Sequence, residues 1–253
     1  NPLIVDQVGT MTGVEKNEVR VRSSENTGGT SIIVGASDPD GSVVPFVGVL
    51  GRCNGTNIVS DSDSSKVTGV RYDSVTRVGE HEVLIGTNDN RLYKYNILKG
   101  YLEEITIPLT ITPDKLVKIE AISFTQWLMA SEDGIYYTRD AGTNWTLSPG
   151  TPSLMSEGMS KIDTTAWPIG YIVTQDTGDG NVVPGGGDGA AEYRSSRILR
   201  TIDGGCTWHV LHDLSPPEGQ IFTNPQSGCD IAVSSDGTVV YALTDTAIHK
   251  IYS

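Results

Sequence analysis

The sequence predicts an all-β fold, a five-bladed β-propeller spanning residues 1–253 as one domain, and three observations carry that expectation. Gly is abundant at 29 of 253 residues, with 12 Pro, and no dozen-residue segment carries a 3.6-residue apolar period. An apolar strand that ends in a small or polar pair and then Asp recurs five times, at Asp38, Asp89, Asp133, Asp176 and Asp245. Each copy is followed by a second apolar strand, and the repeat length is close to the ~45 residues of a four-stranded blade.

The elements follow in order. Candidate first strands are EVRVRSS (18–24), KVTGVRYDS (66–74), VKIEAISF (117–124), KIDTTAW (161–167) and CDIAVSS (229–235). The Asp-ending second strands are IIVGASD (32–38), VLIGTND (83–89), WLMASED (127–133), GYIVTQD (170–176) and VVYALTD (239–245). Third strands follow as SVVPFVGV, NRLYKYN, GIYYTRD, RILRTID and AIHKIYS. Fourth strands fall near 52–59, 101–107, 145–148 and 207–211, and the last repeat ends at Ser253 without one. The N-terminal PLIVDQV (2–8) is expected to supply it, pairing the N- and C-terminal strands and removing an open edge. A six-bladed ring is the alternative, but no sixth copy of the pattern is found.

A formal net charge of -13 repels a phosphate backbone, which excludes nucleic acid as the expected ligand. No apolar run approaches the roughly 20 residues of a membrane helix, so membrane insertion is not expected. The N-terminus has neither an initiator Met nor a signal pattern, and the chain reads as a mature product or part of something longer. Cys53, Cys206 and Cys229 form no zinc spacing; a Cys206–Cys229 bridge stands beside three unpaired thiols as alternatives. His81, His209, His212 and His249 are dispersed, and GxSxG, HExxH and P-loop motifs are absent.

Residues 138–145, TRDAGTNW, and 201–208, TIDGGCTW, both fit S/T-x-D-x-G-x-x-W. They resemble the Asp-box, the bacterial neuraminidase repeat, with Asn144 departing from the Ser or Thr preferred before the Trp. The residue types suit a turn: Thr138 and Thr201 open it, and Asp140 and Asp203 can accept from its backbone N–H groups. Gly142 and Gly205 can take positive φ, while Trp145 and Trp208 bury a large ring. No part needs a substrate. The resemblance implies a propeller with these turns on the face opposite the usual ligand site.

Function is therefore expected on the aspartate-bearing loops. The five repeated aspartates, with Asp40, Asn90, Glu132, Asp179 and Asp188, would form an acidic rim that turn chemistry alone also explains. The loop 176–196, DTGDGNVVPGGGDGAAEYRSS, replaces a short hairpin turn and is the expected ligand-binding element. Asp176, Asp179, Asn181 and Asp188 are its candidate oxygen ligands, and Tyr193 and Arg194 could meet a sugar at its base. Asp176, Asp179 and Asn181 are the expected place for a Ca²⁺ ion, although their spacing misses the D-x-[DN]-x-[DN]-G loop; otherwise no cofactor is implied.

The chain resembles sialidases in its turns only, since Arg20, Arg22 and Arg71 do not form their N-terminal signature. Five-bladed glycosidases are the enzymatic alternative: Glu120 in KIEAI and Asp163 in KIDTT occupy equivalent first-strand positions and could act as acid and base or nucleophile. The leading expectation is a non-catalytic recognition or adhesion module for a carbohydrate or cell-surface receptor. Acidic β-rich composition resembles phage tail-fibre receptor-binding domains, which implies an extracellular or virion-surface place in a larger protein or particle. An assembly-factor scaffold is the third alternative.

Overall fold

The protein is seen in a computed structural model that describes residues 19–27, 30–37, 44–51, 55–60, 71–99, 101–112, 115–152, 159–174, 197–214, 228–244 and 247–253. The chain divides into two compact units, 1–125 and 126–253. In the first unit, β1 (Val19–Thr27), β2 (Thr30–Ser37), β3 (Val44–Gly51) and β4 (Gly55–Ser60) form a sheet in chain order. A second sheet repeats the pattern with β5 (Tyr72–Arg77), β6 (Glu82–Thr87), β7 (Leu92–Asn96) and β8 (Tyr101–Ile105). The unit closes with β9 (Lys118–Ala121).

The second unit opens with β10 (Trp127–Ser131), β11 (Gly134–Thr138) and β12 (Thr146–Leu147), antiparallel neighbours in chain order. Next come β13 (Met159–Asp163), β14 (Gly170–Thr174), β15 (Arg197–Thr201) and β16 (His209–Asp213), again in chain order. The last sheet holds β17 (Gly228–Val233), β18 (Val239–Thr244) and β19 (Ile248–Tyr252), three strands among the described residues. Residues 2–8, expected to complete it, lie outside the described residues.

Within each unit the first strand of one sheet lies against the first strand of the next: β1 with β5, β5 with β9, and β13 with β17. Facing sheets bury apolar side chains between them. In the second unit Tyr171, Val173, Ile198, Leu214, Ile231, Val240 and Ala242 form one core, with Tyr171 wholly buried. Its hydroxyl donates to Gly237 O at 2.7 Å, so the large ring carries no unsatisfied polar atom. β6, β10 and β14 are buried along nearly their whole length on both faces, which is why their sequences are continuous apolar runs.

The repeat has a register that the Asp pattern only approximates. First strands β1, β5, β13 and β17 each carry a bulge near their start, and the residue after it faces Val34, Gly86, Val173 and Leu243. Counted from those partners, Asp89 and Asp176 are equivalent, while Asp38 and Asp245 are displaced by one position. The feature that does recur is the hydroxyl one residue later. Thr87 Oγ1 accepts from Arg91 N at 3.0 Å. Thr244 Oγ1 accepts from Ala247 N at 3.1 Å and donates to Ala247 O at 3.2 Å. Thr174 Oγ1 accepts from Arg197 N at 2.8 Å. All three threonines are buried, and each hydroxyl satisfies a main-chain N–H where the ladder ends.

Candidate functional site

The two turns after the third strands of their sheets are built atom for atom alike. Thr138 Oγ1 donates to Asp140 Oδ1 at 2.8 Å and accepts from Gly142 N at 3.1 Å. Thr201 repeats this with Asp203 Oδ1 at 2.8 Å and Gly205 N at 3.0 Å. The carboxylates then take Asn144 N at 2.8 Å and Thr207 N at 2.9 Å. Asn144, the departure in the sequence pattern, reaches Asp140 Oδ2 with its amide at 2.7 Å, where Thr207 uses its hydroxyl on Asp203 at 2.6 Å. Gly142 and Gly205 have φ of 84° and 83°, and each follows another left-handed residue, Ala141 or Gly204. Trp208 is buried and donates Nε1 to Gly205 O at 3.2 Å, whereas Trp145 is only half-buried.

A third turn of related design lies at 234–238, without the Trp. Asp236 Oδ1 accepts from Ser234 Oγ at 2.6 Å, Thr238 Oγ1 at 2.8 Å and Thr238 N at 3.1 Å. The hydrogen bond from Ser234, helped by those from Thr238, lowers the Asp236 carboxyl from 3.8 to about 2. Asn144 and its backbone N–H likewise lower Asp140. A depressed carboxyl stabilises the fold above its unfolded value and loses that contribution as pH falls through the folded value. Melting temperature is therefore expected to fall between about pH 4 and pH 2. Asp236→Asn, melted across pH 2–5, should be less stable than wild type at pH 5 and converge on it at pH 2; a constant gap sinks the assignment.

The first-strand carboxylate Asp163 has a comparable use. Asp163 Oδ1 accepts from Thr165 N at 2.8 Å and Oδ2 from Val233 N at 3.0 Å on β17, so both oxygens serve the main chain. Thr76 Oγ1 on β5 accepts from Ala121 N on β9 at 3.2 Å. In these two sheets a side-chain oxygen thus ties the neighbouring first strand. Ala121 directly follows Glu120, and Val233 directly follows Ala232, which pairs in register with Tyr241 as Asp163 does with Tyr171. Glu120 and Asp163 therefore do share a repeat position, as the sequence indicates, and Glu120 is half-buried.

Of the loop residues expected to form an acidic rim, Asp89 and Asn90 are buried. Asp89 is 7% exposed, accepts from Thr87 Oγ1 at 2.7 Å and pairs with Arg91 Nε at 3.1 Å. Asn90, 1% exposed with φ 63°, donates its amide to Thr110 O at 3.0 Å. Residues 110–112 and 115–117 flank both, through Asn90 N to Lys115 O and Thr112 N to Asp89 O. Asp89 and Asn90 are therefore parts of a packed turn. Among the described residues no group of three His, Cys, Asp or Glu is placed to hold a metal ion. Asp176, Asp179, Asn181, Asp188, Tyr193 and Arg194 lie outside the described residues, as do Asp38, Asp40 and Asp245. Cys206 is a free thiol that accepts from Arg139 Nη2 at 3.2 Å.

One surface was not singled out from the sequence. β18 and β19 alternate between buried and outward residues, and the outward face carries Tyr241, Leu243, Ile248, Lys250 and Tyr252. Lys250 Nζ stands 5.7 Å from the Tyr241 ring centroid and 5.0 Å from that of Tyr252. Strand alternation in VVYAL and IHKIY was the available signal, but alternation does not say which face a neighbour covers.

No protein-family model matches the chain, and no curated protein matches it. Solved structures do. YCF48 from Cyanidioschyzon merolae aligns over 89% of this chain and 64% of its own, at 12% identity and a TM-score of 0.54. A GH74 enzyme from Niastella koreensis aligns over 88% of this chain and 33% of its own, at 14% identity and a TM-score of 0.58. A protein of unknown function from Bacteroides caccae aligns over 90% of this chain and 71% of its own, at 9% identity and a TM-score of 0.50. This chain spans less than two thirds of the first of these proteins and a third of the second. Likeness at such identities speaks for the fold alone: the chain has a β-propeller fold.

Proposed function

We propose that this chain is a recognition module, a non-catalytic propeller that binds a carbohydrate or cell-surface receptor as part of a larger extracellular or virion-surface protein such as a phage tail fibre. One observation carries the reading. Asp163, a carboxylate nominated for acid–base chemistry, accepts a backbone N–H on each oxygen, Thr165 N within its own turn and Val233 N from the neighbouring first strand. A proton-transfer or nucleophilic role needs an oxygen that can approach a substrate. The turns at 138–145 and 201–208 are Asp-boxes in this reading, devices of the scaffold, and binding falls to loops and outer faces. The loop 176–196 is the proposed contact element, with Asp176, Asp179, Asn181 and Asp188 as oxygen donors to a ligand or Ca²⁺ and Tyr193 and Arg194 at its base.

A glycan array, run beside an assay for reducing sugar, tests the proposal. Wild type is expected to give reproducible glycan hits that vanish when 177–192 is shortened, and to release no sugar. Hits that survive the shortening remove the loop from the site. Sugar release that is lost on Glu120→Gln overturns the non-catalytic reading in favour of a glycoside hydrolase. That outcome is the specific alternative which the GH74 likeness brings forward.

A further inference from the structure

The sheets β13–β16 and β17–β19 pack face to face within the unit 126–253, so both walls of the groove between them belong to that unit. Tyr171 on β14 faces this groove, with its ring in the shared core and its hydroxyl on Gly237 O at 2.7 Å. Arg200 on β15 lies directly opposite Tyr171, and His209 on β16 lies directly opposite Arg200. Residues paired in register share a side of the sheet, with Cβ atoms about 5 Å apart. Arg200 and His209 therefore continue the Tyr171 row outward along the groove. Arg200 is half-buried and His209 is exposed, so the row runs from the core to the surface.

Arg200 differs from other described arginines in having nothing to bind. Arg71 and Arg91 pair with Asp73 and Asp89, and Arg77 Nε donates to Gly79 O. Arg139 lies over the Tyr137 ring and reaches Cys206. Arg200 Nε is closed off from solvent and has no hydrogen-bond partner among the described residues, nor does a carboxylate pair with its guanidinium there. A shielded N–H without an acceptor is costly, and a ligand that supplies the acceptor removes that cost.

The donor fixes the chemistry of its acceptor. A guanidinium presents N–H groups side by side, a fork that matches the two oxygens of a carboxylate. One fixed positive charge balances one negative charge, which suits a carboxylate better than a phosphate dianion. His209 adds a ring N–H beside the fork. Ser253 Oγ, 2.9 Å from the Tyr171 hydroxyl, brings a further hydroxyl to the same groove. Such a polar rim suits a hydroxylated carboxylate.

We infer that Arg200 and His209 form a binding site for the carboxylate of a sugar acid. The inference takes its ligand class from the recognition reading and stands apart from the 176–196 loop. Heteronuclear NMR of the whole chain tests it, because a shielded arginine Nε–H exchanges slowly and gives its own resonance. Sodium glucuronate should shift the Arg200 Nε–H signal saturably, while glucose, and sodium chloride at equal ionic strength, should not. Followed through the His209 backbone amide, glucuronate binding should weaken about tenfold or more in Arg200→Gln, the loss of a charge-assisted contact. Arg200→Lys keeps the charge without the fork and should recover only part.

An Nε–H signal that glucuronate leaves unmoved in wild type overturns the site, while glycan-array hits by the same protein would leave the recognition reading standing. A shift that chloride reproduces is charge screening and likewise overturns it. Glucuronate binding unchanged in Arg200→Gln removes Arg200 from the contact. An empty glycan array beside a glucuronate shift that depends on Arg200 would overturn the recognition reading and uphold the site.

Discussion

Replacing Gly86 with alanine is expected to destabilise the protein by about 3 kcal/mol or more, near or above the upper end of ordinary overpacking. At 2–4 °C per kcal/mol for a chain of this size, the melting temperature should fall by about 6–12 °C. The cause is a close crossing of two main chains. Val117 N donates to Thr87 O at 2.8 Å, and Ser74 Oγ donates to Val117 O at 3.0 Å, which fixes the Val117 carbonyl over β6. A Cβ on Gly86 would stand 2.2 Å from that oxygen and 2.6 Å from Ser74 Oγ. The serine can rotate away, but the carbonyl belongs to a wholly buried residue. Relief requires breaking the bond to Thr87 or shifting β6 within its sheet. Gly79→Ala is the control, since its Cβ would meet nothing closer than 3.8 Å. Equal melting temperatures for the two variants would remove the close approach as the reason for glycine.

That glycine shows where repeat-level reading stops. Val34, Val173 and Leu243 stand at the same bulge-partner position in other sheets, so the repeat alone argues for an apolar side chain there. Only the path of 115–117 demands its absence, and no local pattern encodes that path. Strands and their order were legible because period-two alternation and apolar runs act within one element. The turn at 138–145 was legible for the same reason, since Thr138, Asp140 and Asn144 satisfy one another within seven residues. Its relative at 234–238 was missed because the Trp is lacking, although Ser234, Asp236 and Gly237 carried the signal. The role of Asp163 was hidden by distance: its partner Val233 is 70 residues away. The Tyr241 face was hidden for a converse reason, because burial on both sides is a property of neighbours.

Trp208→Ala should be the costliest single truncation in the turn at 201–208, at about 3–5 kcal/mol. The side chain is 4% exposed. Trp208 Cη2 lies 3.6 Å from where a Cβ on Gly170 would stand, so the ring reaches the start of β14. Its Nε1 donates to Gly205 O, and Ser148 Oγ donates to the same carbonyl from outside the turn. Removing the ring leaves a cavity that this doubly engaged loop is poorly able to collapse into. Gly205 is held at φ 83°, with Leu128 Cδ2 2.7 Å from the position of a Cβ there. Trp145→Ala in the sister turn provides the contrast. Trp145 is half-buried, its ring meets Trp127 at 6.3 Å, and its Nε1 has no hydrogen-bond partner among the described residues. Less apolar surface and no indole bond are lost, so its cost should be clearly smaller. Urea denaturation of both variants decides the matter through their midpoints. A Trp145→Ala shift equal to that of Trp208→Ala would mean that the two rings are interchangeable turn residues. The expected inequality would mean that matching turn geometry in two repeats supports unequal shares of the core.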